Sequence, residues 1–250
     1  MDVVVTGGTG RLGRVLVPSL QAAGHQVRQV SRRGTGPGGV RADLATGRDL
    51  ATAVRGAEVV VHAATDPRGN PWQVDVAGTR RLVQALDRDR LRHLVHVSIV
   101  GVDRVPWNYY RAKFAAEQVA LASGLPVTIV RITQWHDFVD DMLGTARRGP
   151  VLIVPMGWSA APVDVGEAAG FLTEVVAGAP SGGEVVEFGG PEDLSAADLA
   201  HAWVAAREPS VRVVATPLPG RLSAAFREGG VLPGPQAARG RVTYAEHLRS

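Results

Sequence analysis

The sequence contains no cysteine and no long hydrophobic run, and each absence excludes a class of protein or site. Without cysteine among its 250 residues, the chain has no disulfide, no thiolate nucleophile and no cysteine-ligated metal. Because no stretch of about 18 uninterrupted apolar residues occurs, no transmembrane helix is expected. The first predicted strand begins at residue 2, which leaves no room for a signal peptide. We therefore expect a cytoplasmic protein with no membrane partner.

Lysine is almost absent, since Lys113 stands alone beside 26 arginines. The formal net charge is only +3, and no dense cationic block or aromatic-interleaved basic patch is present. No nucleic-acid partner is therefore expected. A position that tolerated any cation would carry arginine in this chain, so Lys113 is predicted to have a specific role.

A glycine-rich turn follows the first predicted strand, Asp2 to Thr6, and precedes a segment with apolar residues at helical spacing. Glycine allows unusual backbone angles and lets a pyrophosphate approach the backbone, and the following helix N-terminus offers unpaired N–H groups. A strand, a glycine turn and a helix in this order predict a dinucleotide-binding site. Its predicted contacts are Gly7, Thr9, Gly10, Arg11, Leu12 and Gly13.

Cations stand at the end of the second predicted strand, where Ser31, Arg32 and Arg33 follow Val30. An NAD-binding unit carries an acidic residue here for the ribose 2′-hydroxyl, whereas arginine can bond a 2′-phosphate with two parallel hydrogen bonds. The sequence therefore predicts NADP(H) in preference to NAD(H). Further cofactor contacts are expected where the next two strands end, at Asp43, Leu44, Ala63 and Ala64.

The predicted strands and helices indicate the fold class. Six strands alternate with helices as far as residue 133, which is typical of a doubly wound parallel sheet with right-handed crossovers. Beyond that residue the order of short strands and helices becomes mixed. We expect an α/β Rossmann-type NAD(P)-binding domain at residues 1–133 and a smaller mixed α/β substrate-binding cap at residues 134–250, packed on the carboxyl edge of the sheet.

Tyr109 and Lys113 lie four residues apart on a helix predicted from Trp107 to Ala122, so they share a face of that helix. Reduction of a carbonyl needs an acid for the developing alkoxide, and tyrosine serves when a neighbouring cation stabilises its phenolate. We predict that Tyr109 is the general acid/base and that Lys113 is its electrostatic partner and an anchor for the ribose. Tyr110 is the alternative acid.

Several motifs occur in a fixed order over about residues 2 to 200. They are the glycine turn, Asp43-Leu44, Asp75-Val-Ala-Gly-Thr79, Val97-Ser-Ile-Val-Gly101, Tyr109-x-x-x-Lys113, Pro162-Val-Asp-Val165 and Phe188-Gly-Gly-Pro-Glu192. Together they resemble the atypical short-chain dehydrogenase/reductases, particularly the NmrA-like, NAD(P)-binding branch. The resemblance implies a Rossmann domain, a nicotinamide dinucleotide at the strand ends, and hydride transfer to or from a small carbonyl or related group.

The same resemblance implies a serine or threonine that hydrogen-bonds the substrate oxygen. Ser98 ends the fifth strand at close to the family's spacing before Tyr109, but the register could place Val100 at that position, where the oxyanion would lose a donor. Because helices on the faces of such sheets often pair, a homodimer is one candidate assembly.

Seven residues are predicted to line a substrate pocket between the strand ends and the cap. Four of them are aromatic in a chain that is 5% aromatic, which favours a flat or apolar small molecule such as a quinone, an enone or an aromatic carbonyl. The same side chains could equally form the core of the cap. The seven pocket residues are Trp107, Gln134, Trp135, His136, Phe138, Met156 and Trp158.

His136 and Asp140 have the spacing of a metal-ligand pair on a helix. Charge on a helix surface explains them better, so no metal site is predicted.

Two classes of function stay open. The first is an NADP(H)-dependent oxidoreductase with Tyr109, Lys113 and Ser98 as its catalytic residues. The second is a non-enzymatic NADP(H)-binding redox sensor of NmrA type, which changes its affinity for a protein partner. Retention of Tyr109 and Lys113 favours the enzyme. A sugar-nucleotide epimerase is a third option, although the short cap shows no obvious diphosphate clamp.

Overall fold

The computed structural model describes residues 1–250, which form thirteen β-strands, nine α-helices and one π-helical segment at Trp72–Ala77. The strands are β1 (Asp2–Thr6), β2 (Gln26–Ser31), β3 (Gly39–Arg41), β4 (Val59–His62), β5 (His93–Ile99), β6 (Val127–Ile132), β7 (Arg147–Arg148), β8 (Val151–Pro155), β9 (Ser159–Ala160), β10 (Val185–Gly189), β11 (Leu194–Ser195), β12 (Arg212–Thr216) and β13 (Ala238–Arg239). The helices are α1 (Gly13–Ala22), α2 (Leu50–Val54), α3 (Gly78–Ala85), α4 (Asn108–Leu121), α5 (His136–Ala146), α6 (Val165–Ala177), α7 (Ala196–Arg207), α8 (Arg221–Arg227) and α9 (Tyr244–His247).

Eight strands form one sheet in the order β13-β10-β6-β5-β4-β1-β2-β3. The pairs β1–β2, β1–β4, β2–β3 and β4–β5 are all parallel. From β3 to β6 the order is 3-2-1-4-5-6, which is that of dinucleotide-binding sheets. The predicted Rossmann-type α/β fold is confirmed, and β10 and β13 extend the sheet beyond the six predicted strands.

The central strands are the most apolar part of the chain because helices cover both faces of a parallel sheet. Val3, Val4 and Val5 of β1 are fully buried, and β4 is buried along its whole length. The inner face of α1 adds Leu16 and Leu20, which are also fully buried. The β-branched runs in the sequence therefore become the middle of the sheet.

The chain divides into two compact units, each assembled from separate segments. The first unit comprises Met1–Ser98, Asn108–Arg131 and Ala169–Val186, and the second comprises Ile99–Trp107, Ile132–Ala168 and Glu187–Ser250. The boundary predicted after residue 133 lies beside one of these junctions. The part of the chain after residue 133 contributes to both units, because most of α6 belongs to the first unit. Within that unit, Thr173 Oγ1 of α6 and Ser19 Oγ of α1 form a 2.9 Å hydrogen bond.

A buried ion pair joins β6 to α4 within the first unit. Arg131 donates to both carboxylate oxygens of Glu117, at 3.0 Å from Nε and 2.8 Å from Nη2. Glu117 is fully buried and Arg131 is 7% exposed. The bidentate geometry compensates for removing both charges from water.

The second unit contains a three-stranded sheet in the order β12-β8-β7. Leu152 and Val154 of β8 pack with Trp203 of α7 in its hydrophobic core. Ser195 caps α7, which begins directly after that serine, through a reciprocal pair of hydrogen bonds with Asp198.

The short elements of the second unit do not follow from sequence periodicity. Helices α8 and α9 have seven and four residues, and β13 has two. Helix α9 is held by tertiary contacts, since Tyr244 Oη donates to Asp140 Oδ1 at 2.5 Å.

Candidate active site

The glycine turn after β1 leaves no space for side chains. Gly7 has a φ of +74°, in the left-handed region, and a Cβ there would lie 2.8 Å from Ala64 Cα. A Cβ on Gly13 would lie 2.6 Å from Gly8 Cα. The backbone at this turn is therefore bare for a steric reason, as a cradle for a pyrophosphate requires.

Helix α1 begins directly behind this turn and points its N-terminus at it. The backbone N–H groups of Leu12 and Gly13 have no backbone acceptor, whereas Arg14 and Leu16 already donate to the carbonyls of Gly10 and Leu12. Two free amides and the positive end of the helix dipole favour an anion such as a phosphate. The residues at the turn thus fit the pyrophosphate of a dinucleotide, and Thr9 and Arg11 lie in the same turn.

The end of β2 carries unopposed positive charge. Arg32 and Arg33 are exposed, and no acidic residue occurs between Gln26 and Arg41. Ser31 Oγ accepts a 3.0 Å hydrogen bond from the Gly34 N–H, which shapes the loop after the strand. This strand end therefore favours an anionic group.

Asp43 and Leu44 shape the loop after β3. The carboxylate of Asp43 accepts hydrogen bonds from Ala45 N at 2.9 Å and from Thr46 Oγ1 at 3.1 Å, and each of its oxygens keeps a second lone pair. The side chain of Leu44 is buried in the core of the first unit. A contact of Leu44 with a cofactor would therefore use its backbone.

Ala63 and Ala64 continue from β4 beside the glycine turn. The Ala63 N–H donates to the Thr6 carbonyl at 3.2 Å, and the Ala64 N–H donates to Thr6 Oγ1 at 3.4 Å. Both alanines are half-buried. Their small side chains leave the backbone accessible at the carboxyl edge of the sheet, where ligands bind in folds of this kind.

Helix α4 carries both Tyr109 and Lys113, as predicted. Lys113 is 4% exposed, and its Nζ donates to the Val97 carbonyl at 2.8 Å. The same Nζ lies 3.6 Å from Asp75 Oδ1, which is 1% exposed. An ammonium has three N–H groups, so these two contacts leave one for a further acceptor such as a ribose hydroxyl.

Asp75 lies in the π-helical segment, and its carboxylate accepts two hydrogen bonds from the loop after β4. Its Oδ1 accepts from Thr65 Oγ1 at 2.7 Å, and its Oδ2 accepts from the Asp66 N–H at 3.2 Å. Thr65 Oγ1 also lies 2.9 Å from Tyr109 Oη. A continuous chain of polar contacts therefore runs from Tyr109 through Thr65 and Asp75 to Lys113.

The environment of Tyr109 keeps its phenol protonated. Burial is the main cause that raises the pKa of Tyr109 above its usual value, and the neighbouring Thr65 hydroxyl, which can donate to the phenolate form, acts in the opposite direction. The negative charges of Asp75 and Asp66 raise the pKa further. Tyr109 is thus held as the neutral phenol, which is the form that a proton donor starts from.

His62, the last residue of β4, is held as a neutral ring by two threonine hydroxyls. Its Nδ1 is 2.7 Å from Thr6 Oγ1, and its Nε2 is 2.9 Å from Thr79 Oγ1. Thr79 gives its own hydrogen to the Asp75 carbonyl, so it must accept from Nε2–H, and Thr6 must donate to Nδ1. Burial, with a smaller effect from Lys113, lowers the pKa of His62 to about 3.

Ser98 is not joined to Tyr109 by a hydrogen bond. It is 3% exposed on β5, and its Oγ has no hydrogen-bond partner. Val100 is fully buried, with its N–H bonded to the Ile132 carbonyl at 3.1 Å. The role of Ser98 as the residue that orients the substrate stays a prediction.

The seven predicted substrate residues all belong to the second unit, in three environments. Trp107, Phe138 and Met156 are 42%, 40% and 50% exposed. Trp158 stacks on Phe226 with 4.1 Å between ring centroids and donates from Nε1 to Ser223 Oγ at 2.9 Å.

His136, Gln134 and Trp135 surround the start of α5. His136 is 2% exposed, and its Nε2 lies 3.1 Å from the Pro162 carbonyl. Trp135 pairs with Val163 in a short bridge, and both Trp135 and Gln134 are half-buried. Asp140 contacts Tyr244 and His247 rather than His136, and no group of three or more His, Asp or Glu side chains is arranged to hold a metal ion.

A groove of about 400 Å³ lies between α3 and α4 and contains none of the predicted site residues. Its lining is Arg80, Val83, Gln84, Gln118, Val119 and Ala122. No helix in the structure is both long and apolar enough to cross a lipid bilayer.

Thr65 is the residue of this site that sequence reasoning missed. The motif Asp75-Val-Ala-Gly-Thr79 drew attention to Asp75, but no short-range pattern links Thr65 to Tyr109, which lies 44 positions away. The one available signal was position, since Thr65 directly follows the two small residues at the end of β4.

Comparisons with known proteins show which family the chain matches. A family model described as NAD(P)H-binding matches residues 7–146. The divinyl chlorophyllide a 8-vinyl-reductase of Oryza sativa subsp. indica is 31% identical over an alignment of 219 residues, and the match covers 76% of this chain and 54% of the relative. The chain spans about half the length of the curated relatives it matches.

Solved structures share the fold over nearly the whole chain. The NADPH-dependent quinone oxidoreductase QOR2 of Escherichia coli, complexed with NADPH, has a TM-score of 0.80 at 18% identity, covering 99% of this chain and 98% of that one. MoeE5 in complex with UDP-glucuronic acid and NAD has a TM-score of 0.75 at 20% identity, covering 100% of this chain and 97% of that one. At these identities the likeness shows the fold alone.

Proposed function

Because the chain belongs to the NAD(P)H-binding family within the atypical short-chain dehydrogenase/reductases, we propose that it is an NADP(H)-dependent oxidoreductase whose proton donor is Tyr109. The observation that carries this proposal is the burial of the single lysine, Lys113, one helical turn after Tyr109 on α4. A buried ammonium is costly unless it is paired, and here a carbonyl and a carboxylate hold it in place.

The bound dinucleotide would supply or accept a hydride, and the chain's own residues would do the rest. Lys113 would hold a ribose hydroxyl with its third N–H group. Tyr109 would give its phenolic proton to the substrate oxygen as negative charge develops there. Ser98, whose buried Oγ has no hydrogen-bond partner in the structure, would orient that oxygen.

The proposed preference for NADP(H) rests on Arg32 and Arg33. A 2′-phosphate at the end of β2 would meet two exposed guanidinium groups and no carboxylate between Gln26 and Arg41. Arg32→Glu should raise the Kd for NADPH by tenfold or more, equivalent to about 1.4 kcal/mol, and change the Kd for NADH much less. Arg92→Glu is the matched control, because Arg92 is exposed just before the amino end of β5. Equal weakening of NADPH and NADH would refute the preference.

The substrate class that we propose is a small apolar or aromatic carbonyl, enone or quinone. Three large side chains of the second unit, Trp107, Phe138 and Met156, keep 40% or more of their surface exposed. Such surface binds flat, apolar molecules well. The Escherichia coli neighbour is named for a quinone, which belongs to this class, whereas the rice relative is named for the reduction of a vinyl group.

One observation favours a second candidate function, an NADP(H)-binding redox sensor. Ser98, the predicted donor that orients a substrate oxygen, is 3% exposed, so the protein keeps the glycine turn for a dinucleotide while this donor is buried. A protein of this kind would bind NADPH and change a surface recognised by a protein partner.

The deciding experiment combines calorimetric titration with NADPH and NADH and oxidation assays of NADPH over quinones, enones and aromatic ketones. The enzyme is supported if Tyr109→Phe keeps the affinity for NADPH and loses turnover. Tight NADPH binding without turnover on any substrate would favour the sensor. If neither dinucleotide binds, the assignment of the glycine turn is wrong.

A further inference from the structure

The hydroxyl of Thr65 has two neighbours and only one hydrogen to give. It lies 2.7 Å from Asp75 Oδ1 and 2.9 Å from Tyr109 Oη. Asp75, as a carboxylate, can only accept, so Thr65 donates to it. Tyr109 must then donate to Thr65. In the resting protein the phenolic hydrogen of Tyr109 therefore points at Thr65 and is not directed to a substrate.

This orientation has to change during the reaction. When Tyr109 gives its hydrogen to a substrate oxygen, Thr65 Oγ1 loses its donor and faces a phenolate oxygen at hydrogen-bond distance. Rotation about one side-chain bond of Thr65 brings its hydrogen from Asp75 to that oxygen. The carboxylate that Thr65 leaves keeps the Asp66 N–H and the ammonium of Lys113.

We infer that Thr65 is a positioning residue for Tyr109, a hydroxyl that switches its hydrogen from Asp75 to Tyr109 and then relays a proton from solvent to the phenolate. The inference rests on the proposed oxidoreductase function and adds one residue, Thr65, to its proton path. Thr65 is exposed, so water reaches it directly, whereas Lys113 and Asp75 are almost fully buried.

In the direction of reduction, every proton that leaves one group is taken up by the next. The O–H bond of Tyr109 breaks, its proton forms the new O–H bond of the product, and the hydride comes from the bound dinucleotide. The phenolate of Tyr109 then takes the hydrogen of Thr65 while Thr65 takes one from a water molecule. That water becomes hydroxide, which the buffer neutralises, and Tyr109 and Thr65 return to their starting states.

Asp75 has a separate effect, which gives the inference a second test. Its negative charge lies next to the Tyr109–Thr65 pair and offsets the charge of Lys113. Removing that charge should make the phenolate of Tyr109 easier to form, whereas removing the hydroxyl of Thr65 should make it harder. Opposite shifts from two residues that touch each other are not expected from a loss of packing.

The first measurement uses the cofactor-free protein labelled with tyrosine carrying carbon-13 at Cζ. The chain has only three tyrosines, and Tyr109→Phe assigns the Tyr109 signal. In pH titrations, Asp75→Asn should move the ionisation of Tyr109 to lower pH and Thr65→Val to higher pH. Thr65→Ser should match the wild type. The inference is overturned if the Tyr109 signal titrates alike in all four proteins.

The second measurement is steady-state kinetics with NADPH. Thr65→Val should lower kcat by about tenfold, the effect of one lost hydrogen bond, with KM for the substrate changed much less. Thr65→Ser should restore kcat, and the solvent deuterium isotope effect on kcat should rise in Thr65→Val as reprotonation becomes slow. Thr52→Val, on the exposed surface of α2, is the matched control.

The two measurements separate failure of the inference from failure of the proposed function. If the wild type turns over and Thr65→Val has the same kcat and isotope effect, the relay is wrong and the oxidoreductase stands. If the wild type turns over no substrate, the proposed function fails, while the titrations still decide whether Thr65 and Asp75 control the proton of Tyr109.

Discussion

His62 gives the protein a sensitivity to acid whose size can be worked out in advance. The ring is 1% exposed and neutral, and burial lowers its folded-state pKa to about 3. In the unfolded chain the same imidazole has a pKa of about 6.5. As pH falls below 6.5, the unfolded state binds a proton at His62 that the folded state does not bind, so the free energy of unfolding decreases. The loss begins near pH 6.5 and is complete near pH 3.

Between pH 7.5 and pH 5.0 this one residue should remove about 2 kcal/mol from the free energy of unfolding. The figure depends on the unfolded-state pKa and hardly on the folded one, provided that the latter lies well below 5. His62→Gln keeps a polar side chain of similar length but cannot titrate. Its loss of stability between the two pH values should therefore be smaller than that of the wild type by about 2 kcal/mol.

The assay is urea denaturation followed by circular dichroism at both pH values, with the slope of each transition compared to confirm two-state unfolding. Thr79→Val is the matched control. It removes the partner of His62 Nε2 but keeps the imidazole, so it should be less stable at both pH values and retain the wild-type difference between them. If His62→Gln loses as much stability on acidification as the wild type, then His62 is not held neutral in the folded protein.

Two further predictions follow from packing and charge. Gly13→Ala should abolish NADPH binding in calorimetry and lower the melting temperature, because the new Cβ would lie 2.6 Å from backbone atoms of the glycine turn. Gly170→Ala is the control and should not affect binding, because Gly170 in α6 has open space around it. Arg131→Met should lower the free energy of unfolding by about 3–5 kcal/mol in urea, since it leaves the carboxylate of Glu117 buried and unpaired. The double variant with Glu117→Leu should recover most of that loss, and no recovery would show that the guanidinium does more than pair with this carboxylate.

The fold could be predicted from the sequence because its signals are local. The β-branched runs of β1 and β4 and the glycines after β1 each specify their own segment, and the regular alternation of strand and helix leaves few topologies for a parallel sheet. The placement of Tyr109 and Lys113 on one helix was also readable, because a helix brings residues four apart onto one face. Periodicity disappears after residue 133, and there the two-residue strands and α9 depend on contacts such as that between Tyr244 and Asp140.

The sequence by itself determined the parallel sheet, the glycine turn and the place of Tyr109 and Lys113 on one helix, since each arises from neighbours along the chain. Only the tertiary structure decided what surrounds that pair. Thr65 reaches Tyr109 across 44 positions, and Asp75 meets Lys113 because a π-helical segment packs against α4. The physical reason is that hydrogen bonds and ion pairs act over about 3 to 4 Å in space, whatever the separation along the chain.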